Sequence, residues 1–385
     1  MKAVLKCVVA LFVCAVASSV LAEPGAGINV LDCKISPFVD TAVIYDSNVL
    51  LNENTADELD DTSYAIGYGV NLDHARKHYV LSAKLWGLSE IYSDLDSLDH
   101  NDFGDDISLN FLTPGGFNVR VLQSYSDVQD VDYTTTSIEN YVTHIAGVRV
   151  SRSVTDKMNA NLGYNYKAKD YDADSLFGHS RSKLDGSIDY VLTDMTALLV
   201  KAGIESQDGD GNSGEGTVYR ASLGAKSRQT SQLTASADVG ILGLSSDDAD
   251  ISDFAFGAEV AWQAMDKVGV TLAADKEIEP SSIEKNNYNI ITGISAGIGY
   301  TLLDNLKVSL NAGYMEVDLQ NKYDDSGSLV TKTEDIIFGK VRLDYQSPMK
   351  FLKVFATAGI TDQDSTISRL DYTREKVSVG VSLVY

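Results

Sequence analysis

The sequence predicts an all-β fold, a transmembrane antiparallel up-and-down β-barrel of about 18 strands (roughly 16 to 18). Three observations predict it. Apolar and polar residues alternate along almost the whole chain, short and long connections alternate between these segments, and the last segment ends on an aromatic residue. We expect the short connections to be periplasmic turns and the longer ones to be acidic extracellular loops.

The first 22 residues predict a cleaved secretory signal. Lys2 and Lys6 precede an apolar run that is too short to span a bilayer, and small residues stand just before position 23. An uncleaved anchor or a buried helix is the alternative, but Glu23 and Pro24 follow at once with no further apolar stretch. The predicted organisation is a signal peptide at 1–22, a short periplasmic segment at 23–33 and an outer-membrane β-barrel at 34–385.

Charge and cysteine content exclude several classes of protein. The chain has 55 acidic and 31 basic residues, and its net charge of -24 would repel a nucleic-acid backbone. Removal of the signal leaves Cys33 as the single cysteine, so neither an intrachain disulfide nor a cysteine-based zinc site is expected. The role of Cys33 is left open.

Period-two alternation marks the individual strands. Met158, Leu162 and Tyr166 share one face of such a segment, while Asn159 and Lys167 lie on the other. No amphipathic helix is expected after the signal, because apolar spacings of three and four do not persist. The alternating segments begin near positions 35, 62, 77, 105, 117, 140, 157, 182, 195, 217, 231, 252, 267, 287, 305, 336, 351 and 371.

The connections between these segments alternate in length. Short turns are expected at 73–76, 113–116, 193–194, 303–305 and 347–350, and longer loops at 47–61 and 319–334. Much of the acidic excess falls in the longer connections, where solvated loops are the simple interpretation and divalent-cation contacts to lipopolysaccharide a functional one. An even number of strands then puts both ends of the barrel on the periplasmic side.

The alternation alone does not say which medium the apolar face contacts, because a soluble β-sandwich or a secreted repeat protein would alternate in the same way. Lipid is favoured because the apolar positions are often small and because aromatic residues on them form two groups near the strand ends. One group lies near the short turns and one near the long loops: Tyr79, Phe111, Phe117, Tyr190, Trp262, Tyr300 and Tyr345, then Tyr45, Tyr64, Tyr125 and Tyr314.

The C-terminus resembles the recognition signal of outer-membrane barrels, which the barrel assembly machinery reads. Its residues alternate and finish on an aromatic side chain: Val377, Val379, Val381, Leu383 and Tyr385. An ordinary amphipathic strand that happens to end on tyrosine is the alternative.

A second resemblance lies at positions 38–49. Their sequence, Phe-Val-Asp-Thr-Ala-Val-Ile-Tyr-Asp-Ser-Asn-Val, is similar to the opening strand of the Putative beta-barrel porin 2 family, in which a Tyr-Asp-Ser-Asn tetrad ends the first strand. The resemblance implies an outer-membrane barrel. It also implies a tie to exopolysaccharide export, because some members are encoded near export genes.

Parity also assigns a lumen wall. Positions opposite the lipid face carry more bases than acids, which favours anionic solutes, although mixed charge that only keeps the lumen wet is the alternative. The predicted pore-lining residues are Lys84, Arg120, Arg149, Lys167, Lys183, Asp185, Asp189, Lys201, Arg220, Asp238, Glu259, Asp275, Lys307, Lys340, Arg342 and Lys353.

No enzyme chemistry is indicated. The five histidines are scattered, and no Gly-x-Ser-x-Gly elbow, phosphate-binding loop or dinucleotide fingerprint occurs. We expect no catalytic residues, no metal site and no cofactor.

The sequence therefore predicts a porin-like outer-membrane barrel of a Gram-negative-type bacterium, passing small hydrophilic solutes by diffusion. The alternative is a structural or adhesive surface barrel that binds envelope polysaccharide or lipopolysaccharide and conducts little. Expected partners are outer-membrane lipid and lipopolysaccharide, the barrel assembly machinery and small hydrophilic solutes. Nucleic acid is excluded, and homo-oligomerisation is left open.

Overall fold

In the computed structural model the chain forms one closed antiparallel β-barrel. The structure describes residues 27–30, 32–51, 59–132, 137–173, 176, 178–209, 215–228, 232–246, 250–280, 288–319, 323–325, 328–330, 332–366 and 371–385. The predicted signal peptide, and parts of the acidic loops, lie outside these residues.

Eighteen long strands make up the wall. They are β1 (Cys33–Asp46), β2 (Asp61–Arg76), β3 (Tyr79–Tyr92), β4 (His100–Leu112), β5 (Asn118–Asp132), β6 (Ser137–Thr155), β7 (Met158–Tyr171), β8 (His179–Thr193), β9 (Thr196–Gly209), β10 (Gly216–Arg228), β11 (Leu233–Ser246), β12 (Asp250–Met265), β13 (Val268–Pro280), β14 (Tyr288–Leu303), β15 (Leu306–Leu319), β16 (Thr333–Gln346), β17 (Leu352–Ser365) and β18 (Tyr372–Val384).

Each strand pairs with the next in sequence, and β1 pairs with β18 to close the cylinder. The predicted fold class and strand number are thereby confirmed. Closure gives the first and last strands of the sheet a neighbour on each side and removes the free edges at the two ends of the sheet, which a membrane would not tolerate. Among the described residues no helix is long and apolar enough to cross a membrane.

Three short strands lie outside this set. Ile28–Val30 folds back on the start of β1, and Tyr323–Asp325 pairs with Ser328–Val330 in the connection before β16. The described residues also include a 3-10 turn at Asp96–Leu98.

The connections divide the barrel into two ends. We call the end that carries the short connections the turn end, and the opposite one the loop end. Strands β2, β4, β6 and the other even-numbered strands finish at the turn end, where Cys33 of β1 and Val384 of β18 also lie. The predicted alternation of connections is thus confirmed, and the two chain ends of the barrel share one side.

One predicted turn is wrong. Residues 73–76 belong to β2, which continues to Arg76 and is followed by a turn at Lys77 and His78. Asp73 pairs with Ser82 across the ladder and accepts a hydrogen bond of 2.9 Å from its hydroxyl. A run of polar residues is typical of a turn, but here cross-strand side-chain pairing holds the polar residues within the ladder.

The outward face is an apolar belt. Large hydrophobic side chains on it are about half exposed, as in Leu162 at 55%, Ile241 at 55% and Val379 at 55%. So large an apolar surface would be unfavourable in water and is favourable in lipid. Exposed aromatic side chains near the turn end include Tyr79 and Trp262.

The closing seam joins the two ends of the chain. Nine register pairs run from Phe38 opposite Val384 to Asp46 opposite Lys376. The backbone amide of Tyr385 donates to the Pro37 carbonyl over 2.9 Å. Four residues of the predicted assembly signal, Val377 to Leu383, therefore lie in the strand that closes the barrel, and Tyr385 follows its end. Their recognition by assembly machinery stays a prediction.

Candidate functional site: the lumen and an inward-folded hairpin

The lumen holds a cavity of about 950 Å³ against the wall formed by β6 to β13. Both charge signs line it, together with small residues such as Gly257 and Ala273. Nine of the residues predicted to line the pore surround this cavity: Arg149, Lys183, Asp185, Asp189, Lys201, Arg220, Asp238, Glu259 and Asp275.

The remaining predicted positions lie elsewhere around the wall. Register places them beside lumen-facing partners: Arg120 is opposite Arg149, Lys167 opposite Arg181, Lys307 opposite Asp344 and Lys340 opposite Asn311. Lys84 lies 5.4 Å from the centre of the Phe38 ring, and Arg342 and Lys353 both contact Asp344. That all sixteen line a conducting path stays a prediction.

Asp238 is the centre of one charge cluster. Its carboxylate lies 2.5 Å from the Lys201 ammonium and 3.5 Å from the Arg220 guanidinium, and accepts a 2.7 Å hydrogen bond from Ser222. Only 2% of the Asp238 side chain is exposed. A carboxylate so deeply covered is held by its paired cations, and losing one of them would leave the buried charge with a single cation partner.

Glu205 is the centre of a second cluster. It accepts from Arg181 over 2.6 Å and from Gln207 over 2.7 Å, and Lys183 lies 3.8 Å away. Arg181 also binds Glu279, which belongs to β13, five strands further around the wall. A contact over so many strands means that β13 reaches into the lumen at this level.

Pairing reduces the number of free cations that sequence parity suggests. Asp344 contacts Arg342 at 3.0 Å and Lys353 at 2.9 Å, in the same way as Asp238 and Glu205 hold their cations. The predicted lining bases found in ion pairs are Arg149, Lys183, Lys201, Arg220, Arg342 and Lys353. The contribution of these six to the lumen potential is therefore smaller than a count of bases implies.

The ladder between β12 and β13 stops halfway. Its last register pair towards the loop end is Gly257 with Asp275. Beyond this point β12 stays paired with β11, and residues 276–280 of β13 stay paired with β14. The two strands part here, and we call this place the fork.

Beyond the fork, the β13–β14 hairpin turns its lipid face inward. In its lower part Leu272 and Ile294, which have lipid-facing parity, are 46% and 56% exposed. On the same parity, Ile278 and Tyr288 are only 2% and 1% exposed. They pack in one cluster with lumen-facing side chains of β10 to β12: Val218, Leu242, Leu244 and Ala255.

A glycine makes room for this packing. A Cβ placed on Gly216 would lie 2.5 Å from the Tyr288 hydroxyl and 2.9 Å from a methyl of Leu244. Gly216 therefore lets the hairpin approach the inner wall of β10. The described part of the hairpin therefore packs against the inner wall of β10 to β12 at the loop end.

The sequence did not predict this inward packing. No external loop in it is long enough to be an obvious inward-folded plug, and the pattern of residues leaves open whether a loop folds into the lumen. Two residues carried a signal, because Lys276 and Pro280 stand on lipid-facing parity in β13, where a charge and a missing amide donor are unfavourable.

A closed barrel with an apolar outer belt and a charged lumen has the architecture of an outer-membrane β-barrel. The model of the Putative beta-barrel porin 2 family matches residues 204–385. This match confirms the family resemblance predicted from the first strand, and it does so in a different part of the chain.

Solved structures with a similar fold include three bacterial proteins. OpdO from Pseudomonas aeruginosa is 13% identical, with 92% of this chain and 98% of that chain covered and a TM-score of 0.49. OccAB4 from Acinetobacter baumannii is 10% identical over 94% and 100%, with a TM-score of 0.49. OpdQ from Pseudomonas aeruginosa is 12% identical over 92% and 100%, with a TM-score of 0.48. The comparison with curated proteins found no match.

The family match is to a channel class rather than to an enzyme. Among the residues that the structure describes, no three His, Cys, Asp or Glu side chains are grouped to hold a metal ion. Cys33 lies with its sulfur 3.3 Å from Nδ1 of His74 at the turn end.

Proposed function

We propose that this barrel lets small hydrophilic solutes diffuse across the outer membrane, with the β13–β14 hairpin setting the narrowest part of the path. The charged cavity of about 950 Å³ inside the closed wall carries the proposal. A barrel of eighteen strands has a wider lumen than small barrels, whose interiors side chains fill.

Single-channel recording of the refolded protein tests the proposal. We expect discrete, voltage-independent steps in a planar bilayer. The test variant is Gly216→Ala, which obstructs the inward position of the hairpin and is expected to raise the step size. Absence of steps from both proteins would contradict diffusion through the lumen.

A mild preference for anions is the finer part of the proposal. It is supported by Arg120, Lys167, Lys307 and Lys340, which add to the wall charge beside the paired cations. Reversal potentials in a salt gradient test it, and a clear cation preference would overturn it.

A structural or adhesive surface barrel is the second candidate. The inward hairpin favours it, because a narrowed loop end would limit conductance. Acidic side chains at the loop end, such as Asp94, Asp96 and Asp99, would then bridge to lipopolysaccharide or envelope polysaccharide through divalent cations. Negligible conductance, together with a chelator-sensitive melting temperature in lipopolysaccharide bilayers, would select this function.

The finer assignments on processing, assembly and export complete the proposal. We infer cleavage after Ala22, a periplasmic segment at 23–33 before the barrel, and reading of the C-terminal strand by the assembly machinery. Mass spectrometry of the mature protein tests the first, and deletion of Tyr385 followed by membrane fractionation tests the last. The link to exopolysaccharide export rests on the family resemblance, and polymer secretion by a deletion strain tests it.

A further inference from the structure

The wall contains two strand edges that face each other without a ladder. In the described residues, positions 250–256 of β12 and 276–280 of β13 make no register pairs with one another. In a membrane such edges are costly, because lipid cannot satisfy backbone amides and carbonyls. Protein groups must therefore supply the missing partners.

Lumen-facing side chains supply part of them. The guanidinium of Arg220 donates to the carbonyl of Phe256 over 2.8 Å and to that of Lys276 over 3.0 Å. One side chain thus binds both edges at the fork. Gln207 donates to the carbonyl of Ile278 over 3.3 Å, one step further along β13. Specific side chains of this sequence therefore stabilise the separated strands at the fork.

The sequence also opposes closing the fork. In the register of Gly257 with Asp275, continuation of the ladder would put Lys276 beside Phe256 on the lipid face. It would put Glu279 directly opposite Asp253, and like charges in such a pair repel. In the open arrangement Lys276 is instead 2.5 Å from Asp253, and Glu279 binds Arg181.

The surroundings of the fork differ inside and outside the wall. On the lipid side stand Phe254, which is 55% exposed, and Phe256, whose ring centre is 6.4 Å from that of Phe254. On the lumen side the cavity of about 950 Å³ touches both strands, at Gly257 and at Asp275. A molecule that lies across the fork would contact apolar rings at one end and charged groups at the other.

We propose that the gap between β12 and β13 is a lateral opening for amphiphiles. The hydrocarbon chain of a lipid or single-chain amphiphile enters the wall between the two strands, while its polar head stays with the lumen charges. Passage of this kind needs no conduction through the full lumen, so it goes beyond solute diffusion and can be tested separately from it.

Bromolipid quenching tests the opening. A bimane fluorophore is attached to Asp275→Cys in a Cys33→Ser background, and the refolded protein is placed in phosphatidylcholine bilayers with brominated acyl chains. The matched control carries the label at Asp185→Cys, which lines the same cavity at a similar distance from the turn end. We expect quenching at 275 to exceed that at 185 by at least about twofold, since bromine stays in the hydrocarbon region.

A closing variant completes the test. Lys276→Val, Glu279→Thr and Pro280→Thr together remove the three obstacles to a continuous ladder. In this variant we expect quenching at 275 to fall to the level at 185, and amide exchange of residues 251–256 to slow by about tenfold or more as the β12 edge is covered. Circular dichroism verifies that each variant is folded.

Two outcomes would overturn the proposal. Equal quenching at 275 and 185 in the parent protein would mean that lipid chains do not reach the lumen at the fork. Slow exchange of residues 251–256 in a dimer, with no excess quenching, would mean that a second copy covers the edge. Conductance is measured on the same samples, so failure of solute diffusion is distinguishable from failure of the lateral opening.

Discussion

Two junctions between neighbouring strands of the wall are both antiparallel, but one is paired along its length and the other is paired only in part. The closing seam between β1 and β18 is paired through nine residues up to its loop end, whereas the β12–β13 junction stops at Gly257 and Asp275. At the seam, outward residues are apolar, as in Val43 opposite Val379, and inward charges of opposite sign meet. At the fork, continued pairing would oppose two acids and place a lysine in lipid. Side-chain identity therefore decides where this barrel is closed.

The largest expected effect is at the seam. The carboxylate of Asp46 lies 2.5 Å from the guanidinium of Arg374, and their side chains are 6% and 11% exposed. We expect Arg374→Ala to lower the free energy of unfolding by about 3 kcal/mol, because the buried carboxylate of Asp46 then keeps only Lys376, at 3.9 Å, as a cation partner. Denaturant unfolding in detergent micelles measures it.

The control for this change is Arg76→Ala. Arg76 binds Asp32 at the turn end, where both side chains are more than half exposed, so a loss of at most about 1 kcal/mol is expected. Equal losses for the two variants would show that the seam does not depend on its buried pair.

The fork is expected to respond to a conservative change. Arg220→Lys keeps the positive charge near Asp238 but cannot reach the carbonyls of Phe256 and Lys276 at once. We expect a loss of about 1 to 3 kcal/mol and faster amide exchange around Gly257. Amide exchange that is unchanged from the parent protein would show that Arg220 does not stabilise the two strand edges at the fork.

The inward hairpin is expected to respond to one methyl group. Gly216→Ala brings a Cβ to within 2.5 Å of the Tyr288 hydroxyl, which forces the hairpin away from β10 at a cost of about 1 to 3 kcal/mol. Larger conductance steps should accompany the loss of stability. Gly299→Ala is the control, because no atom lies within 4 Å of the new methyl group. A variant that is destabilised but keeps the conductance of the parent protein would show that the hairpin does not narrow the pore.

The smallest effect is expected in ion selectivity. Lys201→Gln removes one cation from Asp238 and leaves Arg220 in contact with it. The reversal potential should shift by a few millivolts, on the order of the effect of one charge in a ring of many, towards cation preference. A shift towards anions would contradict the placement of Lys201 on the path.

The sequence was sufficient to predict the strands of the wall and insufficient to predict the fork between β12 and β13. Apolar alternation is a local property, and strand starts predicted from it differ from the observed ones by five residues or fewer. The largest difference is at β4, which starts at His100 rather than near 105, because Asp105 stands on the lipid-facing parity, opposite Leu85, and interrupts the alternation.

The charge clusters and the inward hairpin depend on which residues meet across strands. Arg181 and Glu279 are 98 positions apart, and nothing in either strand alone shows that they are in contact. Parity could place Asp238 and Lys201 on one face but could not show that they pair. Lys276 and Pro280 were the exceptions, since their conflict with a lipid-facing strand is visible in the sequence itself.

The position of the hairpin bears on the order in which the barrel forms. The apolar cluster that holds it, from Val218 to Ile290, comes from five consecutive strands, and its polar contacts with Arg181 and Gln207 come from the two strands before them. The seam joins positions separated by more than 300 residues, such as Asp46 and Arg374. Chain entropy opposes contacts between distant positions more strongly than contacts between near ones. The narrowed section can therefore assemble on an open sheet, before there is a cylinder for it to narrow.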